Sequence, residues 1–191
     1  MTTGPIAFLD ASVIYPAGIR NLLMYMQLAG IYRATWSDMV HEEWITALLR
    51  KRPHLTRAQL ERTRDLMNQH AVGATITGYE GLIDGLRLPD VNDRHVLAAA
   101  ITAGASIIIT SNLKHFPASA LAPRGIEALH PDDFALRLFA AAPADVLVAA
   151  RMHRRSLKSP PKPVADYLAG LEKSGFTETV VALRPFEGLL E

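Results

Sequence analysis

Ile6-Ala7-Phe8-Leu9-Asp10 is a run of apolar residues that stops abruptly on an acid. A short apolar run of this kind, bounded by polar residues, reads as a buried β-strand. Ile107-Ile108-Ile109-Thr110 repeats the pattern and leads into Ser111-Asn112. The segments between the two have helical period, and strands alternating with helices predict a parallel sheet covered on both faces. The expected fold class is therefore α/β, a three-layer α/β/α arrangement with a central parallel sheet, followed by C-terminal helices. In such sheets ligands bind beyond the carboxyl ends of the strands, so Asp10 and Asn112 should reach the same edge.

Working outward, Pro16 to Ala29 reads as a helix with Ile19, Leu22, Leu23 and Met26 inward, ended by Gly30. Tyr32 to Trp36 reads as a second short strand. Ser37 is a good N-cap for a helix to Lys51, which carries Glu43 and ends in Arg50, Lys51 and Arg52, where the helix dipole favours cations. Thr56 and Gln59 form a capping box for a helix to about Gln69. Thr75 to Thr77 reads as a small strand and Leu86 to Asn92 as a loop. Asp93 opens an Ala-rich helix, Val96 to Ala103, that Gly104 terminates. Phe116 to Gly125 reads as a loop and Ile126 to Leu129 as a last strand. From Pro131 the pattern is helical: Asp132 to Ala141, Ala144 to Arg155, a Ser/Pro/Lys linker, then Val164 to Lys173 before Gly175. This divides the chain into a domain over residues 1–130 and a helical extension over residues 131–191.

Composition narrows the function less than it narrows the class. A chain of 191 residues with 49% apolar content is long enough for a sizeable core. The net charge of +1 gives no overall pull on nucleic acid, so any basic surface must be local. With no Cys there are neither disulfides nor thiolate metal sites, which is compatible with a reducing cytoplasm. The opening MTTGPIAFLD has no basic stretch of a secretory leader, and no apolar window is long enough for a membrane span.

Four motifs recur in a recognisable order: the strand into Asp10-Ala11-Ser12, Glu43 in His41-Glu42-Glu43-Trp44, Asp90-Val-Asn-Asp93-Arg-His-Val-Leu-Ala-Ala-Ala, and Thr110-Ser-Asn112-Leu-Lys-His-Phe116. Together they resemble the PIN-domain nucleases, the fold of the VapC toxins, over roughly the first 130 residues. The resemblance is to a subgroup with a helical C-terminal extension, and it implies an Mg²⁺- or Mn²⁺-dependent endoribonuclease. It further implies the toxin of a toxin–antitoxin pair, with an antitoxin partner and a tendency to dimerise. Asp10 and Asp93 would be the principal metal ligands, Glu43 a ligand or a base acting through water, Asn112 a weak or outer ligand, and Asp90 an auxiliary group. Ser12 and Thr110 would hydrogen-bond the carboxylates or the substrate phosphate. Such a cluster suits phosphodiester hydrolysis, which needs charge stabilised at phosphorus and hydroxide generated near neutral pH. Two positions depart from the pattern: Asn112 stands where the family has an acid, and Ser12 where Asn or Thr is frequent. An amide oxygen can ligate a hard cation but brings no negative charge.

Local structure offers other uses for the same residues. Asp10, Asp90 and Asp93 could cap turns or helices, Glu43 could be solvated, and Thr110-Ser111-Asn112 could be a polar turn. His41, His95 and His115 lack metal-ligand spacing and read as surface or partly buried structure, although Lys114 and His115 could also contact RNA phosphate. Arg151, Arg154, Arg155, Lys158 and Lys162 could be a solvated helix end, an RNA-backbone contact or a partner surface. A PIN-like binding module with weak or no catalysis is the main alternative function. A haloacid-dehalogenase-like phosphatase is a lesser one, since it wants an acid two positions after the first Asp.

Overall fold

The computed structural model describes residues 4–191, so the leader reading of Met1–Thr3 lies outside the described residues. Its first half runs β1 (Ile6–Leu9), α1 (Ala11–Ile14), α2 (Ala17–Leu28), β2 (Arg33–Thr35), α3 (Asp38–Lys51) and α4 (Arg57–His70). There follow α5 (Arg94–Thr102), β3 (Ile107–Ile109), α6 (Ala118–Leu121) and β4 (Glu127–Leu129). The chain then becomes helical through α7 (Pro131–Ala141), α8 (Pro143–Ser156), α9 (Val164–Lys173) and α10 (Thr177–Leu183).

The residues group into two compact units. One comprises Pro5–Tyr15 and Arg33–His130 and contains the sheet. Its strands are all parallel, in the order β2-β1-β3-β4, with Ala7 opposite Ala34 and Ile107, and Ile108 opposite Ala128. Ala7, Phe8, Leu9 and Ile107 to Ile109 are all buried, as expected for strands covered on both faces. This is the expected three-layer α/β/α, PIN-like class. The order matters for function: the chain leaves β1 toward β2 on one side, then returns to place β3 on the other. The crevice of a parallel sheet opens where the winding direction reverses, which here lies between the carboxyl ends of β1 and β3.

Local signals fix the elements that frame this crevice. The Ser37 side chain accepts from the Val40 N–H at 3.3 Å and starts α3. Thr56 and Gln59 close a capping box at α4. α5 is buried at every position from His95 to Ala100, which its small Ala residues permit, and Gly104 at φ 63° turns the chain from α5 toward β3. The expected strand at Thr75–Thr77 reduces to a single parallel bridge from Thr75 to Trp36, just past the end of the edge strand β2. The expected loop over Phe116–Gly125 folds into α6 and a short 3₁₀ turn, Ala122–Arg124, and α1 was not anticipated at all.

The other unit comprises Gly4, Pro16–Tyr32 and Pro131–Glu191. α2, which lies between β1 and β2 in sequence, therefore clusters with the C-terminal helices rather than with the sheet. Its buried face, Ile19, Leu22, Leu23 and Met26, is the one its period predicts. Tyr25 stacks on His153 of α8 with centroids 5.2 Å apart, and His153 Nδ1 lies 3.2 Å from the Tyr167 hydroxyl of α9. α10 was not expected. Its preceding residue, Phe176, cannot cap, and the Asp132 carboxylate of α7 instead accepts the N–H groups of Glu178 and Thr179 at 2.8 and 2.9 Å. Among the described residues, no helix is long and apolar enough to cross a membrane.

Candidate active site

Asp10 sits where β1 ends, and its backbone N–H extends the ladder by donating to the Ile109 carbonyl at 3.1 Å. Its carboxylate is buried yet makes no capping bond to α1. Instead, the Ser12 and Thr110 hydroxyls donate to Oδ2 at 2.6 and 2.8 Å. Two hydroxyls offset part of the cost of burying a carboxylate, and both hold it in one orientation at the crevice. Thr110 Oγ1 in turn accepts the Asn112 N–H at 3.0 Å, and Ser12 Oγ accepts the Ser111 N–H at 3.0 Å. The turn after β3 is thereby tied to the turn after β1. The Asn112 side chain is not engaged in any hydrogen bond among the described residues, and no capping bond from it starts the following 3₁₀ turn, Leu113–His115.

Asp93 and Asp90 approach from the loop before α5. Asp90 does cap, accepting the Asn92 N–H at 2.9 Å. Asp93 does not cap α5; it accepts from Nδ1–H of His115 at 2.7 Å. Asp90, Asp93 and His115 offer ligand atoms that lie within 4.8 Å of one another. Burial holds the Asp93 carboxyl above its ordinary range; the His115 hydrogen bond opposes the shift, and the charges of Asp10 and Asp90 add to it. Asp10 and Asp93 are thus close enough to repel.

Glu43 is joined to this region from α3. Its Oε1 lies 2.7 Å from Nε2 of the buried His95, two residues beyond Asp93. A carboxylate only accepts, so Nε2–H is the donor in this contact. The second acid of that helix, Glu42, is spent elsewhere: Arg57 donates to it at 2.8 Å and holds its carboxyl down at about 2.

The structure therefore brings Asp10, Ser12 and Thr110 into direct contact and places Asp90, Asp93 and His115 together. Glu43 is attached through His95, while Asp10 and Glu43 stay outside the 4.8 Å ligand group. His115 and His95 are the residues that spacing alone undervalued. The available signal was position: His95 lies within the Asp90–Asp93 motif and His115 three residues after Asn112. Lys114 is exposed on the same turn as His115. In the other unit, Arg151 and Arg154 donate to the Glu191 and Leu190 carbonyls at 2.6 Å each, while Arg155 is exposed.

The donor set fits a hard divalent cation. The acids offer hard oxygen donors, His115 orients one of them through its N–H, and the repulsion that neighbouring carboxylates add at Asp93 is what a dication would relieve.

Residues 131–185 match the protein-family model described as VapC50 C-terminal domain. Over this segment the chain is similar to a VapC50 C-terminal domain. A relative from Mycobacterium tuberculosis (strain ATCC 25618 / H37Rv), named "Putative ribonuclease VapC50", is 56% identical over 59 residues, 31% of this chain. The match spans 34% of that relative's length, about a third of it. No solved structure matches the chain.

Proposed function

We propose that the chain is a divalent-metal-dependent endoribonuclease that hydrolyses phosphodiester bonds of RNA, and that it is the toxin of a toxin–antitoxin pair. The observation that carries the chemistry is the placement of Asp10 at the β1/β3 reversal, oriented by Ser12 and Thr110 and within electrostatic reach of Asp93. Asp10, Asp93 and Asp90 would hold Mg²⁺ or Mn²⁺, with Glu43 acting as ligand or as base through water and Asn112 as an outer ligand. The ion would supply Lewis-acid stabilisation of the phosphoryl oxygens and a water of lowered pKa. The protein's own part is orientation: Ser12 and Thr110 fix one carboxylate, His115 fixes the second, and His95 fixes Glu43. The relative's name supports the ribonuclease reading, while the toxin role, the antitoxin partner and dimerisation are what the resemblance to VapC proteins implies. Ser12 stands where the phosphatase reading needs a second acid, and its hydroxyl is bound to Asp10.

The test is cleavage of single-stranded RNA by the purified chain. Activity should require Mg²⁺ or Mn²⁺, vanish with chelator, and fall in Asp10→Asn and Asp93→Asn by more than about a hundredfold, beyond the usual cost of changing an outer-shell partner. Binding of RNA with no cleavage under any divalent ion would favour the binding-module reading, for which Asn112 is the reason.

A further inference from the structure

Beside the candidate active site lies a cleft of about 500 Å³ whose walls are the two loops that carry Asp90 and His115. Pro89, adjacent to Asp90, lines one wall, and Pro117, two residues after His115, lines the other. Arg87 and Arg124 both line it, and no acid does. Arg87 is exposed and has no hydrogen bond or ion pair among the described residues. Arg124 is exposed and donates from Nη1 to the Ala120 carbonyl at 2.8 Å, which steadies the guanidinium while leaving its other donors unused. The Ser119 hydroxyl adds a neutral donor, and the buried Leu88 an apolar floor.

We infer that this cleft is a phosphodiester-binding subsite that holds the RNA backbone next to the scissile bond; the inference rests on the ribonuclease reading above. A planar guanidinium matches a phosphate's oxygens two at a time, and two arginines without acidic partners carry the positive charge that an anionic backbone needs. The chain's net charge of +1 provides no general attraction for RNA, so a local pair of cations is needed to draw a polyanion toward an acidic centre. Pro89 and Pro117 have fixed φ, so the walls should change little when a strand enters. The two loops thus join catalysis to binding: the same short segments that place Asp90 and His115 place the cleft beside them.

The experiment measures binding of a short fluorescein-labelled single-stranded RNA of random sequence to the full chain in Ca²⁺, and cleavage of the same RNA in Mn²⁺. The double variant Arg87→Ala, Arg124→Ala should weaken binding about tenfold. It should also lower the slope of log Kd against log salt by roughly 1.4, two phosphates at about 0.7 each on single-stranded RNA. KM should rise with kcat nearly unchanged, which a merely structural defect would not produce. Arg87→Lys, Arg124→Lys should recover the salt slope but only part of the affinity, because charge returns without the fork. A control removing two exposed arginines elsewhere, Arg52→Ala with Arg62→Ala, should leave both quantities near wild type. Equal losses in the control and the cleft variant would overturn the subsite, as would unchanged RNA affinity accompanied by loss of a protein partner. If the wild type cleaves RNA and the cleft variant matches it in KM and salt slope, the subsite fails while the nuclease reading stands. If the wild type neither binds nor cleaves RNA, both fail.

Discussion

Asn112 is the residue at which this site departs from an all-carboxylate set. Its backbone N–H is tied to Thr110 Oγ1, so the turn is held, while its side chain makes no hydrogen bond among the described residues. Replacing the amide with a carboxylate should add a ligand charge without moving the backbone. Asn112→Asp is therefore expected to lower the Mn²⁺ concentration needed for half-maximal RNA cleavage several-fold, because a charge close to a dication is felt strongly where solvent is partly excluded. A higher Mn²⁺ requirement would mean that the amide donates its NH₂ to substrate or to a neighbouring carboxylate. At this scale the sequence was legible where a residue ended a strand. Asp10 and Thr110 follow short apolar runs, and an apolar run announces its own boundary. His95 and His115 were not legible in the same way, since each matters through a partner, Glu43 or Asp93, that is distant in sequence.

At the scale of elements, α3 is joined to α5 beside the site by a polar contact, Glu43 with His95. Ser37 fixes where α3 begins, and Asp93 leads directly into α5, so the pair sets the spacing between two acidic motifs. Outer-shell partners that orient a ligand typically contribute tenfold to a hundredfold. His95→Leu should thus reduce kcat by about tenfold to a hundredfold, and His95→Gln, whose amide can still donate to Glu43, should recover much of it. Equal activity in both variants would show that Glu43 needs no orientation from α5. Element existence was largely readable because Ser37, the Thr56–Gln59 box and Gly104 are local signals. α10 was not, because the acid that caps it, Asp132, is 46 residues away from Glu178 in sequence. Nor could period alone say that the apolar face of α2 would cluster with helices from the far end of the chain.

Each of the two units has a buried histidine that burial keeps neutral: His41 in the sheet unit and His153 among the helices, both pushed down to about 4. Below the ordinary histidine range the unfolded chain takes up protons that the folded chain refuses. Stability is therefore complete above about pH 6.5 and is lost as pH falls toward about 4, by up to roughly 3 kcal/mol per histidine. Asp93 acts in the opposite sense, since its raised pKa makes ionisation unfavourable in the folded state. Urea unfolding followed across this window should show a falling midpoint. His153→Phe, which keeps a ring against Tyr25 but cannot titrate, should flatten that fall even though it leaves the Tyr167 hydroxyl without its partner. An unchanged pH slope in the variant would contradict the assignment.

The central claim of the proposal is that Asp10, at the β1/β3 reversal, and Asp93, within its electrostatic reach, together hold the ion used for RNA cleavage. Anomalous diffraction from crystals of the full chain grown with Mn²⁺ tests it most directly. The account predicts a peak about 2.1 to 2.3 Å from carboxylate oxygens of both Asp10 and Asp93, a range usual for hard divalent cations, and no peak there in Asp93→Asn. A chain that cleaves RNA while Mn²⁺ sits away from both aspartates would contradict it.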